Sequence, residues 1–301
     1  MNAIGREAAL AEKRPVGRMR FGLATGQTIP WPALVERWRQ IEALGFDSAW
    51  VYDHFMETGG GTGNHWYFEA WTALAGLAMA TSRVDVGVIV SGNTYRPPAL
   101  VAKEAATIDH ITNGRLVLGL GAGWFEPEHV AYGYPFPSPG ERVARFREAV
   151  QVIKGLLAEE RATFQGRYYQ LHDAPFEPKA IRPGGIPLLV GTRGERMLQI
   201  AARYADVWNM VGGPEQVAER GKVLLEACAK VGRDPNEIRW SAATWSRDIG
   251  FDPLASPEAY RDLVGRYREA GVDEVLCSWG RDTPVGAIER IAAELPALRG
   301  G

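Results

Sequence analysis

The chain has 301 residues, of which 46% are hydrophobic and 23% charged, and its formal net charge is −2. That length fits two ordinary domains or one α/β barrel of about 250 residues. The charge balance excludes an electrostatic case for nucleic acid or an anionic membrane surface, and no apolar run approaches the roughly 18 residues of a membrane span. Cys228 and Cys277 stand alone in apolar contexts. They read as buried thiols in a reducing cytoplasm, with no disulfide framework.

The first 18 residues contain no signal-peptide apolar core and read as a loosely ordered extension. A single domain is expected over 19–301. Residues 19–25 form a short apolar strand ending in Gly26-Gln27, and 31–44 show helical spacing of Leu34, Val35, Trp38, Ile41 and Leu44. A second strand at 48–52 delivers Asp53-His54, and a flexible GGGTGNHW loop follows at 59–66. A helix is expected over 67–81. Residues 84–90 are β-branched and almost uninterrupted, as in a parallel strand buried on both faces.

That strand stops at the polar loop 91–96. Pro98 suits the first turn of a helix to about Ile111, which Asn113-Gly114 ends. Leu116 to Leu120 is a strand running into Gly121-Ala122-Gly123-Trp124. A long connection rich in proline and aromatics comes next, as functional loops often are. A helix over 141–159 and a small hairpin within 162–178 follow. The remaining strands are expected at 186–190, 205–210, 238–245 and 272–278, with helices opening at Gly191, Pro214, Pro257 and Pro284. Eight strands, each followed by a helix, favour a closed TIM (β/α)8 barrel.

In such a barrel the chemistry lies at the C-terminal strand ends. Those ends are aromatic and glycine-rich, with few carboxylates and no metal-ligating cluster, so no metal site is expected. Asp53-His54 is a polar pair where an apolar strand opens. It reads as a proton-transfer site or as a helix cap beside a partly buried histidine. Gly191-Thr192-Arg193-Gly194-Glu195-Arg196 offers close backbone approach, free helix N–H groups and a cation, which suits a phosphate. It also fits an ordinary strand-to-helix turn. Gly121 to Gly123 admits either a ligand against the backbone or a bulged strand end. Glu69 reads as a paired structural carboxylate, and His65, His110, His129 and His172 form no constellation.

Four stretches, MRFGLATG (19–26), GFDSAWVYDH (45–54), SGNTYRPPALVAKEAATIDHITNGRLVLGLGAGWFEPEHVAYG (91–133) and PLLVGTRGERMLQIAARYADVWN (187–209), carry a resemblance. Together they resemble the bacterial-luciferase-like superfamily, and within it the oxidoreductases dependent on the deazaflavin coenzyme F420. The resemblance covers about 19–211. It implies a TIM barrel with an insertion and a deazaflavin across the strand ends. Asp53 and His54 would face the ring, with His54 as proton donor or acceptor. Ile89, Val90, Ser91, Gly92 and Asn93 would back the ring, with a non-proline cis peptide at Ile89-Val90 or Val90-Ser91. Gly121, Ala122, Gly123 and Trp124, and Gly191, Thr192, Arg193, Gly194 and Glu195, would hold the phosphate and tail. Trp208 and Asn209 would form the far edge.

One departure stands out. Sugar-phosphate dehydrogenases of that branch carry a glutamate where this chain has Trp124, which argues for a larger or less polar substrate. The resemblance thus implies hydride transfer between F420 and a small organic substrate. The alternatives are an FMN-dependent monooxygenase using FMNH2 and O2, and a cofactor-binding protein without turnover. A homodimer is expected.

Overall fold

The computed structural model describes residues 16–58 and 66–300. Most of the expected N-terminal extension and most of the glycine-rich loop, His65 included, lie outside the described residues. The elements run β1 (Arg20–Thr25), α1 (Trp31–Ala43), β2 (Ser48–Val51), α2 (Ala70–Ala78), β3 (Asp85–Val88), β4 (Ser91–Gly92), α3 (Pro98–Ile111) and β5 (Leu116–Gly121). Next come α4 (Glu126–Tyr132), α5 (Pro139–Ala158), the hairpin strands β6 (Arg161–Gln165) and β7 (Gln170–Pro175), β8 (Leu188–Gly191), α6 (Glu195–Tyr204), β9 (Val207–Val211) and α7 (Pro214–Val231). The chain ends with β10 (Arg239–Thr244), α8 (Ser246–Ile249), α9 (Pro257–Glu269), β11 (Glu274–Trp279), α10 (Val285–Ala292) and α11 (Leu295–Arg299).

The strand order is β3-β2-β1-β11-β10-β9-β8-β5-β4, and β3 also pairs with β5, so the sheet closes on itself. The fold is the (β/α)8 barrel that the alternation of strands and helices implies. The hairpin β6–β7 forms a separate antiparallel sheet.

The chain's contacts group into two compact units, where the sequence suggests no internal boundary. Among the described residues, one contains those within 25–42 and 49–189; the other contains those up to Ala24, Ala43–Ser48 and those from Val190 onward. The divisions fall inside β1, α1, β2 and β8, so no linker composition marks them.

In the first unit, Trp50, Leu74, Leu77, Val86, Leu116 and Phe146 are fully buried. The strand expected over 84–90 is interrupted: β3 stops at Val88, Ile89-Val90 is a cis peptide, and β4 resumes against Leu120 and Gly121 of β5. The cis bond is at one of the two positions the resemblance implies. β3 and β5 approach closely where glycines stand. A Cβ on Gly119 would lie 2.1 Å from the Val88 carbonyl oxygen, and one on Gly87 2.5 Å from that of Val117. Gly119→Ala is therefore expected to destabilise the protein by about 3 kcal/mol, as overpacking against rigid backbone does. An unchanged urea midpoint would show that the strands have room to part.

Two other helices differ from the expectation. α2 begins at Ala70 rather than near Tyr67, because Glu69 caps it by accepting from the N–H groups of Trp71 and Thr72. α4 lies in the stretch expected to be loop. Seven residues are too few for a periodic signal, and Pro127 in its first turn reads equally as a breaker. Gly133, at φ 72°, ends it.

In the second unit β9, β10 and β11 run parallel with Trp208 beside Trp240 and Ala243 beside Leu276. Their inward residues and those of α6, α7 and α9 supply the core, with Leu198, Leu224, Leu263 and Tyr267 fully buried. The final expected helix is two, α10 and α11. Pro296 cannot continue a ladder of helical hydrogen bonds and instead sits in the first turn of α11.

Candidate functional site

β2 delivers Asp53 and His54 to different tasks. Asp53 is buried, and its Oδ2 accepts from the Gly92 N–H (2.8 Å), the Ser91 hydroxyl (3.2 Å) and Arg96 Nη1 (2.8 Å). With that oxygen committed three times, Asp53 ties the end of β2 to β4. Arg96 also reaches Glu69 with Nη2, at 2.5 Å, and its Nε lies 3.9 Å from Glu104 on α3. Three carboxylates thus surround one guanidinium.

The balance differs at each acid. For Glu69 burial works against ionisation, but the cap hydrogen bonds and Arg96 together lower its pKa. For Glu104 burial wins over Arg96, helped by Glu69 and Asp53, and its pKa rises to about 6. An acid whose folded pKa exceeds its unfolded value of about 4.3 favours folding below that value and opposes it as pH rises through 6. Glu104→Gln is accordingly expected to stabilise the protein by about 1 kcal/mol at neutral pH, with no gain at about pH 4. Thermal melts at both pH values check this.

His54 takes a different partner. Its Nδ1 lies 2.9 Å from Oε2 of Glu128 on α4. Glu128 is fully buried, and its carboxylate also accepts from the Tyr95 hydroxyl and from the N–H groups of Phe55 and Met56, the latter at 3.1 Å. Burial alone would raise its pKa, but hydrogen bonds from His54 and Tyr95, the His54 charge and the Phe55 N–H lower it below the usual value. Tyr95 is held protonated, first by burial and then by the adjoining Glu128 carboxylate.

The His54 ring stands edge-on to Trp124 (5.7 Å, 87°) and Phe125 (5.9 Å, 89°). Its side chain is 15% exposed, and Trp124 is 58% exposed. Behind it Tyr95 stacks on buried His129, whose Nε2 is 2.7 Å from the Thr94 hydroxyl. This is an aromatic, half-sheltered surface around one titratable group.

The other expected residues of this unit are support and surface. Ser91 and Gly92 are buried, and Ser91 accepts from Trp71 Nε1 at 3.0 Å. Asn93 donates its backbone N–H to Gly121 (2.9 Å), and its side chain meets the Tyr169 hydroxyl. Ala122 sits between two glycines, of which Gly123 adopts φ 84° with Thr94 Oγ1 2.5 Å from where a Cβ would be. Gly123 is thus required by the backbone as well as suited to a ligand.

In the second unit, Gly191 to Glu195 form a turn into α6. The Thr192 N–H donates to Asn209, Gly194 donates to the Thr192 hydroxyl, and no side chain caps the helix. Arg193, Gly194 and Glu195 are exposed. Trp208 and Asn209 are buried: Trp208 Nε1 donates to Thr192 O at 2.8 Å, and Asn209 Nδ2 to Ser241 Oγ at 3.0 Å. They brace the turn from behind.

Glu128, Tyr95 and Arg96 complete the His54 and Asp53 environments without being singled out by sequence. Glu128 was hidden by the missed helix α4. Among the described residues no cluster of His, Cys, Asp or Glu could hold a metal ion, and no helix is long and apolar enough to cross a membrane.

A family model described as luciferase-like monooxygenase matches residues 16–245. An F420-dependent glucose-6-phosphate dehydrogenase of Kineococcus radiotolerans is 39% identical over 175 residues, 58% of this chain and 50% of that protein. The chain therefore aligns with only half the length of that relative. A phthiodiolone/phenolphthiodiolone dimycocerosates ketoreductase of Mycobacterium bovis is 32% identical over 298 residues, covering 90% of this chain and 77% of that one. In fold, an F420-dependent secondary alcohol dehydrogenase solved with an F420-acetone adduct superposes with TM-score 0.82 at 22% identity, over 94% of this chain and 99% of that one. With three quarters of its length matched by the family model, the chain belongs to the luciferase-like monooxygenase family.

Proposed function

We propose that this protein is an F420-dependent oxidoreductase that moves a hydride between the deazaflavin and a small organic carbonyl or alcohol. The observation that carries the reading is His54, a half-sheltered imidazole fixed on a buried carboxylate where an apolar strand ends. The F420-dependent relatives support it.

The residues present fit a flat, largely apolar ring. Gly121, Ala122 and Gly123 present almost bare backbone, and Trp124 and Phe125 flank the imidazole. When bound, the deazaflavin supplies or accepts the hydride. The chain's own part is to orient the substrate, limit water and move one proton. His54 gives that proton to the carbonyl oxygen in reduction and takes it from the hydroxyl in oxidation. Ile89, Val90, Ser91, Gly92 and Asn93 are proposed as the backing of this surface. Separately, the Gly191–Glu195 turn is proposed to bind phosphate through its uncapped N–H groups, with Arg193 adding charge. A homodimer in the cytoplasm is the proposed working form.

Titrating the purified protein with oxidised F420 and with FMN tests the reading. Tight F420 binding, with FMN at least tenfold weaker, is expected. Preference for FMN would replace this function by an oxygen-using monooxygenase.

A further inference from the structure

We infer that Glu128 is a positioning residue that fixes the tautomer of His54, reserving Nε2 as the atom that exchanges the catalytic proton. This rests on the oxidoreductase reading for its use, but not for its geometry. A carboxylate only accepts hydrogen bonds, so at 2.9 Å from Oε2 the His54 Nδ1 must carry a hydrogen. In the neutral ring the proton then sits on Nδ1, leaving the Nε2 lone pair open to take one. In the charged ring the proton on Nε2 is the one available to leave. The same dyad stabilises the positive ring after proton uptake, as orienting carboxylates do.

Glu128 is built to stay put. Its two oxygens take four donors: His54 Nδ1 and the Tyr95 hydroxyl on Oε2, and the Phe55 and Met56 N–H groups on Oε1. The last two come from the residues directly after His54, so one carboxylate fixes both the ring and the backbone that bears it. These donors outweigh burial and keep it ionised.

The other titratable groups around the dyad leave this assignment intact. Tyr95 and Tyr67 are held protonated, chiefly by burial. Asp53 and Arg96 are paired with each other. His129 is engaged at both ring nitrogens, by Phe125 O and the Thr94 hydroxyl. Glu57, three residues beyond His54, contributes a charge near Tyr67.

Glu128→Gln separates positioning from mere support. The amide oxygen can keep the Phe55 and Met56 N–H groups, while its NH2 turns a donor toward Nδ1 and the negative charge is lost. Histidine labelled with nitrogen-15 reports the ring state in the protein without cofactor, with His54 assigned by its absence from His54→Gln. Wild type is expected to show the Nδ1–H tautomer when neutral. In Glu128→Gln the Nε2–H tautomer is expected. With F420 bound, turnover should fall roughly 10- to 100-fold with KM little changed. Glu128→Asp, which keeps the charge, should restore the wild-type tautomer.

An Nε2–H tautomer in the neutral wild-type ring, or an unchanged tautomer in Glu128→Gln, would overturn the inference. A switched tautomer in a protein that binds no deazaflavin would leave the dyad standing and remove the function proposed for it. F420-dependent turnover with an unswitched tautomer would do the reverse.

Discussion

His54→Ala is expected to lower F420-dependent turnover by roughly 10²- to 10⁴-fold, the range for loss of a positioned general acid or base. Binding of the deazaflavin should stay within a few-fold of wild type, because only one edge of the surface is lost. The fold should survive. Removing the imidazole leaves Glu128 with the Tyr95 hydroxyl and two backbone N–H groups, so no buried charge is stripped of partners. The small cavity left behind should admit free imidazole, which should return part of the rate in proportion to its neutral or charged fraction. Stopped-flow measurement of the deazaflavin absorbance change separates hydride transfer from later steps. If His54→Ala keeps more than about a tenth of the wild-type rate, the proton comes from elsewhere and the assignment fails.

The barrel was legible because its signal is repeated. Most barrel strands are apolar runs ending near polar or small residues, and most helices start with a cap or proline. β5, α3 and α7 begin where the sequence places them. The site was legible only on its strands. Asp53-His54 stands out as a polar pair after SAWV, yet the sequence gives the two residues one shared role. Only the structure separates them, turning Asp53 to Arg96 and His54 to Glu128.

Glu128 lies 74 positions from its partner, and nothing local links them. Its helix is a single short element beginning with a proline and surrounded by aromatics, a composition that suits a loop as well. The resemblance expects an acid at Trp124 in sugar-phosphate enzymes. Here that ring stands edge-on to His54, and the acid that reaches the imidazole comes from four residues later. Trp208 and Asn209 show another limit. Their place at a strand end is readable, but whether a side chain faces a ligand or braces the turn behind it depends on packing that only coordinates contain.

Arg96→Leu is expected to cost about 3–5 kcal/mol at neutral pH, the range for removing one partner of a buried ion pair. Arg96 and Asp53 are almost wholly buried, and the guanidinium joins Asp53 to Glu69 through separate nitrogens. Leucine can fill much of the volume but leaves Asp53 with only the Ser91 and Gly92 donors. The loss should depend on pH in a definite direction. An unpaired buried acid has its folded pKa raised above the unfolded value of about 3.9. Such a group favours folding at low pH and opposes it as pH rises, so the gap between variant and wild type should widen from about pH 4 to neutrality. Arg96→Lys should fall between the two, since one ammonium cannot span both carboxylates in the guanidinium's geometry. Adding Asp53→Asn to Arg96→Leu should recover much of the loss, because the orphaned charge is then gone. Urea unfolding of the four proteins at two pH values measures every term. Equal losses at both pH values, or no recovery in the double variant, would mean that Arg96 acts through packing and not as the counter-charge that holds β2 to β4 beside His54.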